Sequence, residues 1–255
     1  LSDFDAGVIS KARLCLMDYL ACALEARDLP WSRQAAAVAG DAGGPSGLIA
    51  RGRTASASGA AFANAVAGHG LVREDMHAGS IAHLGVVVWP TLLACAARET
   101  IGGQRLPTAA IVRHEVGARL GRALMDPELA RLFRPTGLVG APAAALALAC
   151  MTRRNQTVAT NAFALACNAV AGLNQWPHNG GSEMYFHPGF AARNAVTAHD
   201  LAAAGAHASP DIIEGEAGLF AAYSRRPPPS RIPLLPPGGG GVIGGFNKGG
   251  APPHF

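Results

Sequence analysis

Lysine is nearly absent from this sequence. Almost all of its 21 basic residues are arginines, and they are spread along the chain rather than gathered into a stripe. That distribution excludes the clustered basic face of a nucleic-acid binder, while the planar guanidinium suits bidentate recognition of carboxylates on a small anionic partner. Aromatic residues are also few, at 6%, although 49% of the chain is hydrophobic. Much of that content is alanine, which fits closely packed helices better than a sheet-rich core. The five cysteines, Cys15, Cys22, Cys95, Cys150 and Cys167, include no CxxC pair and all fall in apolar stretches. They read as buried, reduced thiols, without a disulfide framework or a zinc ribbon. No signal peptide opens the chain, and the longest apolar run, near Leu138–Cys150, is too short and too rich in Ala, Gly and Pro to span a bilayer. The expectation is a soluble, cytoplasmic protein that engages neither membrane nor nucleic acid.

The 255 residues can bury a substantial core in one large domain or two small ones. Val8, Ala12, Cys15, Leu16, Tyr19 and Ala23 recur at helical spacing and predict a helix over about 5–26. Pro30 opens a short second helix, Gly43-Gly44-Pro45 breaks it, and an extended segment follows at Gly47–Arg51. Ser56 is placed to cap an Ala-rich helix over about 57–68. Further helices are predicted over Val86–Arg98, Thr108–Leu124, about 137–152, about 156–172 and Phe190–Ala204. Two irregular polar segments, near 70–84 and 174–189, interrupt this all-α pattern. From Arg226 to Phe255, sixteen of thirty residues are Pro or Gly. Such a segment buries too little apolar surface to offset its ordering entropy, so an irregular tail with no domain of its own is expected beyond residue 225. Gly238–Gly245 is no phosphate loop, because no GK[ST] follows it.

The first polar segment concentrates the chemistry. From His69 to His83, fifteen positions hold three of the nine histidines together with Arg73, Glu74 and Asp75. Polar groups set between apolar helices need partners or a task, and histidine beside a carboxylate can move a proton near neutral pH. His114-Glu115 resembles the start of a zincin motif, but Ala118 stands where the second ligand belongs. With no other Cys/His set at ligand spacing, no catalytic metal and no cofactor are expected.

The order of several short segments resembles the MmgE/PrpD family, which includes 2-methylcitrate dehydratase, cis-aconitate decarboxylase and iminodisuccinate epimerase. The matching pieces are Ala60-Ala-Phe-Ala-Asn64-Ala, His69, the segment through Asp75, and His83-Leu-Gly-Val-Val-Val-Trp-Pro90. They continue with Phe133-Arg-Pro-Thr136-Gly137, Gly140-Ala141, Pro188-Gly-Phe-Ala-Ala-Arg193 and Ile213-Glu-Gly-Glu-Ala-Gly218, covering about residues 5–224. The resemblance implies a helical domain over 1–225 whose active site lies in a cleft under a smaller α/β lid. The lid is expected to be missing or truncated in this chain, with the cleft beside His83 open to solvent. Three positions depart from the family pattern. Arg134 stands where the dehydratases and decarboxylases carry His, Met184 where they carry Lys, and Glu74-Asp75-Met76 where Asp-Asp-Thr is typical.

Carried over residue by residue, the resemblance makes His83 the proton-transfer group and Asp75 the carboxylate that orients it. His77 is a further catalytic candidate in the same loop. Glu183, in a second polar group with Tyr185 and His187, is a second acid or base. Arg134 would clamp a substrate carboxylate, with Arg73, Arg193 and His187 as further binding candidates. A salt bridge from Arg134 to Glu74 or Glu183 is the competing reading. His69 is expected to pack structurally, and Asn64 to bond backbone. The implied activity is a cofactor-independent lyase or epimerase that abstracts a proton next to a carboxylate of a small di- or tricarboxylic acid. The altered positions favour epimerisation or isomerisation slightly over dehydration. The alternative is a catalytically inactive helical protein kept for self-association. Family members commonly associate through this domain, so a homodimer is expected.

Overall fold

Asp5 starts the first helix: its Oδ1 accepts the Gly7 amide at 2.7 Å, and helix α1 runs over Ala6–Glu25. The structure is a computed structural model that describes residues 4–40, 43–230, 232 and 246–248. Pro30 occupies the first turn of α2 (Pro30–Ala39), and Gly40 ends it with φ +72°. The extended segment expected at Gly47–Arg51 is shorter and earlier. Strands β1 (Ser46–Gly47) and β2 (Thr54–Ala55) make a two-stranded antiparallel ribbon, closed by Leu48 donating to the Arg53 carbonyl. The Ser56 hydroxyl accepts the Gly59 amide and caps α3 (Ala57–His69), as its position predicts.

Strand β3 (Asp75–His77) lies inside the His-rich loop before α4 (Gly85–Arg98), which keeps its helical path through Pro90. Next come α5 (Arg105–Leu124), the unforeseen one-and-a-half-turn α6 (Pro127–Leu132), and α7 (Pro135–Met151). Helix α8 (Gln156–Cys167) stops five residues before its expected end, at Asn168. The released chain runs back beside residues 132–134, with Arg134 donating to the Gly172 carbonyl and Asn174 to that of Leu132. A single turn, α9 (Trp176–Asn179), precedes α10 (Glu183–Ala203). Residues 183–189 were expected to be irregular, but they form the first turns of α10 despite Pro188. Met184, His187, Pro188 and Gly189 are buried there. Packing of that face outweighs the intrinsic cost of proline and of a polar sequence.

Helix α7 is apolar on every side because neighbours cover every side: α4, α5, α8 and α10 all pack against it. Helix α3 is enclosed in the same way by α1, α2, α4 and α10. The alanines and glycines on these helices let backbones approach closely. Asn64 on α3 bonds backbone as expected, accepting from Ile49 and donating to the Gly47 carbonyl, both at 2.9 Å. Four cysteines are buried, but Cys150 is exposed, which corrects the expectation for that residue. Among the described residues no helix is long and apolar enough to cross a membrane.

The segment beyond residue 225 is not wholly unpacked. Arg226 pairs with Asp126 at 2.9 Å, and Phe246–Lys248 form strand β4, antiparallel to β3 in the register His77 opposite Phe246. The Phe246 side chain is fully buried, so one aromatic residue anchors a Gly/Pro-rich stretch that composition alone reads as unanchored. The glycine run at 238–245 lies outside the described residues.

Close approach makes a prediction at Gly137. A Cβ there would sit 2.0 Å from the Ala171 carbonyl oxygen, a backbone atom that cannot swing aside. Gly-to-Ala in an open helix is worth roughly 1 kcal/mol of stabilisation. Gly137→Ala is expected to reverse that sign and destabilise by about 1–3 kcal/mol, measured by urea unfolding. Gly103→Ala, with open space around it, should change stability little.

Candidate active site

Successive side chains on an extended segment point to opposite faces, and this splits the two neighbouring acids of the His-rich loop. Glu74 turns toward His69 at the end of α3 and His83 just before α4; Asp75 turns toward α1 and α5. Glu74 is fully buried, and its Oε1 contacts two imidazoles, His69 Nδ1 in a short hydrogen bond and His83 Nδ1 at 3.1 Å. His69 closes α3, and its Nε2 lies 3.2 Å from Arg134 Nη2. A guanidinium can only donate, so His69 accepts at Nε2 and carries its proton on Nδ1, where it donates to Glu74.

The electrostatics agree with that proton placement. Burial pushes the Glu74 carboxyl upward, but the two imidazoles at its Oε1, His69 foremost, outweigh it and leave the group ionised, below the usual carboxylate range. Burial lowers the His69 pKa, and His83 and Arg134 push the same way against Glu74. The His83–Glu74 contact is close but poorly aligned for a hydrogen bond, and Glu74 Oε2 accepts none among the described residues. His83 is tied through its backbone, which donates to Thr136 Oγ1 at 2.9 Å in the first turn of α7.

His187, on α10, completes the cluster. Its pKa falls to about 4, chiefly through burial and then through the charges of Arg134 and His69. Gly172 sits between His187 and Arg134, where a Cβ would lie 3.4 Å from each of them. A cavity of about 180 Å³ opens beside them, lined by Gly137, Gly172, His187, Arg193 and Asn194. That is below the volume of drug-sized ligand sites and admits only a small molecule.

The structure therefore brings together His83, Arg134 and His187 of the expected site residues, with Arg193 at the cavity wall. It corrects the partner of His83, which is Glu74. Asp75 faces away, with its Oδ2 3.4 Å from His114 Nε2. His77 lies on the Asp75 side, 2.9 Å from Ser80 Oγ and beside the Phe246 ring. Arg73 is exposed and pairs with Glu25 at 3.5 Å, well outside the cluster. Glu183 is exposed at the start of α10, and Tyr185 stacks flat on Trp31 at 3.7 Å. Arg134 makes no salt bridge to Glu74 or Glu183 within 4.0 Å; it donates to His69 instead, and its Nε has no partner among the described residues. The expectation of an open cleft beside His83 also fails, since the residue is 7% exposed.

Residues 1–232 match the MmgE/PrpD N-terminal domain. The chain belongs to the MmgE/PrpD family. Cis-aconitate decarboxylase of Aspergillus terreus is 29% identical over 226 residues, covering 86% of this chain and 46% of that protein. The cis-aconitate decarboxylase-like protein oryM of Aspergillus oryzae is 29% identical over 205 residues, covering 76% and 42%. The chain thus spans under half the length of these MmgE/PrpD relatives. The all-α architecture is the one the family resemblance implies.

Two sets of three ligand-type atoms lie within 4.8 Å of one another among the described residues: His69, Glu74 and His83, and Cys15, Asp75 and His114. In the first, the Arg134 guanidinium stands beside His69 and opposes a second cation. That arrangement favours proton transfer over metal binding.

Two stability predictions follow from this cluster. Glu74→Gln removes a charge-assisted bond in a dry site and is expected to cost about 1.5–3 kcal/mol in urea unfolding at pH 7. His187 has its folded pKa near 4, below its unfolded value of about 6.5. The unfolded chain therefore binds the proton first, and the stability this group contributes above pH 6.5 is lost progressively as pH falls toward 4. The urea midpoint should drop between pH 7.5 and 4.5, and His187→Gln should flatten part of that drop.

Proposed function

We propose that the chain carries the proton-transfer half of a cofactor-independent reaction on a small di- or tricarboxylic acid, with His83 as the base. The observation that supports this most is the buried Glu74 carboxylate that contacts the Nδ1 of His83. A carboxylate there favours the proton on Nδ1, leaves a lone pair on the other ring nitrogen, and stabilises the imidazolium once a proton arrives. The Arg134 guanidinium, partly desolvated and with Nε unpaired, suits a substrate carboxylate whose charge grows when the adjacent carbon loses its proton.

In the abstraction step the C–H bond next to the carboxylate breaks, its proton goes to His83, and its electron pair enters the enolate. Loss of a β-hydroxyl with a proton then completes a dehydration. Return of a proton to the opposite face completes an epimerisation. A decarboxylation uses the same pair in reverse: CO₂ leaves, and the imidazolium delivers its proton to the carbon. The curated relatives are named for that last reaction, which supports an acid of the aconitate type as the first substrate to try. Arg134 and Met184, standing where the dehydratase and decarboxylase pattern has His and Lys, favour epimerisation or isomerisation as the alternative outcome. Association as a homodimer belongs to the same reading, and sedimentation at micromolar concentration would test it.

The deciding experiment incubates the chain in deuterated buffer with a panel of di- and tricarboxylates, cis-aconitate among them, and follows solvent deuterium into carbon by NMR. Wild type is expected to exchange, and His83→Gln to lose exchange entirely. Glu74→Gln should slow it by about 10²-fold or more, while Asp75→Asn stays within a few-fold. Exchange that survives His83→Gln would remove His83 as the base. No exchange with any acid would favour the non-catalytic helical protein.

A further inference from the structure

On the far face of β3, Cys15 from α1, Asp75 from β3 and His114 from α5 meet in the interior, and the proton-transfer cluster uses none of them. Their exposures are 3%, 4% and 0%. The thiol sulfur, a carboxylate oxygen and an imidazole nitrogen lie within 4.8 Å of one another. His114 Nδ1 is 2.8 Å from the Ala110 carbonyl oxygen, which only accepts, so Nδ1 carries a proton. In the neutral ring, Nε2 is then a bare lone pair, and it faces Asp75 Oδ2 at 3.4 Å. Two acceptors facing each other without water repel. His114 Nε2 has no hydrogen-bond partner among the described residues, and the buried Asp75 carboxylate meets only the Cys15 thiol. A positive species between them would remove the conflict, either a proton on His114 or a metal ion.

The third group adds to the metal reading. The Cys15 thiol lies within hydrogen-bonding reach of Asp75, and as a thiolate it completes, with an imidazole and a carboxylate, the donor set of a three-residue zinc site. Neighbouring donor atoms around tetrahedral zinc, with bonds of about 2.0–2.3 Å, lie about 3.3–3.8 Å apart, which the His114–Asp75 separation already meets. A metal-bound imidazole typically gives its other N–H to a carbonyl, as His114 does to Ala110. Cys15 and Asp75 also line a cavity of about 230 Å³ with Lys11, Asp18 and Phe246, which leaves room for a fourth, water ligand. The Phe246 ring closes the other side, edge-on to His114 at 4.5 Å.

We propose that Cys15, Asp75 and His114 bind a divalent cation of borderline softness, with zinc as the best fit, in a three-residue site that keeps its fourth position for water. Bound there, the ion pins β3 to α1 and α5 and so fixes the segment whose opposite face carries Glu74. Binding breaks the S–H bond, and the proton leaves to solvent as the thiolate takes the metal. The site departs from the expectation of no metal because that expectation rested on ligand spacing along the chain, and these ligands come from three distant elements.

The test titrates the intact chain with Co²⁺, then with Zn²⁺. One equivalent of cobalt should bind with a near-ultraviolet thiolate-to-cobalt absorption. Zinc should displace it and raise the Tm in a concentration-dependent way. Cys15→Ser and His114→Gln should each lose the absorption, and Cys150→Ser, at the exposed cysteine, should keep it. Cobalt bound without the thiolate band, as at His69, Glu74 and His83, would overturn the assignment. So would an unchanged Tm with no cobalt bound, the result expected of a plain imidazolium–carboxylate pair. The wild-type titration decides even if the variants do not fold, and its outcome is independent of the exchange assay.

Discussion

A carboxylate removed from water has to be neutralised by its neighbours, and at Glu74 that requirement ties three separate elements together. Leaving such a charge unpaired would cost several kcal/mol, comparable to a large part of a domain's total stability. His69 at the end of α3, His83 just before α4 and, through His69, Arg134 just before α7 are the groups that meet it. Each must hold its place to within a few tenths of an ångström. The packing of α3, α4 and α7 is therefore also the means by which a base, its carboxylate and a cation are preorganised. Thr136 reinforces it by fixing the backbone beside His83 from the first turn of α7.

The start of β3 separates two kinds of polar chemistry by a single residue step, from Glu74 just before the strand to Asp75 within it. Glu74 looks into the cluster of imidazoles and arginine; Asp75 looks into one of thiol and imidazole. The two clusters differ in what balances the acid. On the Glu74 side an arginine supplies permanent positive charge and the imidazoles are free to exchange protons. On the Asp75 side no arginine touches the carboxylate among the described residues; an imidazole and a thiol face it, and Lys11 lines the cavity beside them. The loop holds this arrangement at some cost in backbone geometry. Val72 and Ile81, flanking the strand, both sit at φ +53°, where β-branched residues are outliers. Strain of this kind persists only where the surroundings over-determine it, and here hydrogen bonds from His77 to Ala82 and from His83 to Thr136 do so.

Much of the helical frame was legible in the chain because its signals are local. Ser56 and Pro30 mark helix starts by their own chemistry, and the apolar spacing of α1 is visible in its letters. The start of α10 was not legible, because Pro188 and a polar stretch read as a break while the buried contacts of Met184 and His187 decide the matter. In the site, His83, Arg134 and His187 could be found from the family resemblance and the unusual density of polar groups. The choice between Glu74 and Asp75 could not, since alternation says they diverge without saying which one meets His83. His114 and Cys15 carried still less signal. Each looks like an ordinary core residue of an amphipathic helix until the fold brings α1 and α5 against β3. Phe246 was hidden for the same reason, as one aromatic in a stretch whose composition argues against burial.

Arg134 is where these constraints meet. Its guanidinium already donates to His69. A substrate carboxylate reaching Arg134 would compete for that donor. The fork geometry permits both, because Nε is unpaired and a guanidinium offers five N–H groups in fixed directions. Sharing the arginine would draw its positive charge toward the substrate and weaken its hold on His69 Nε2. The proton on His69 stays on Nδ1 all the same, because the ionised Glu74 carboxylate can only accept. His187, held neutral by burial beside the same arginine, is near enough to be felt electrostatically by both. A cationic arginine at this position thus favours chemistry in which negative charge builds on a carboxylate, and disfavours a second imidazolium, at His69 or His187, beside the one that forms at His83 against Glu74.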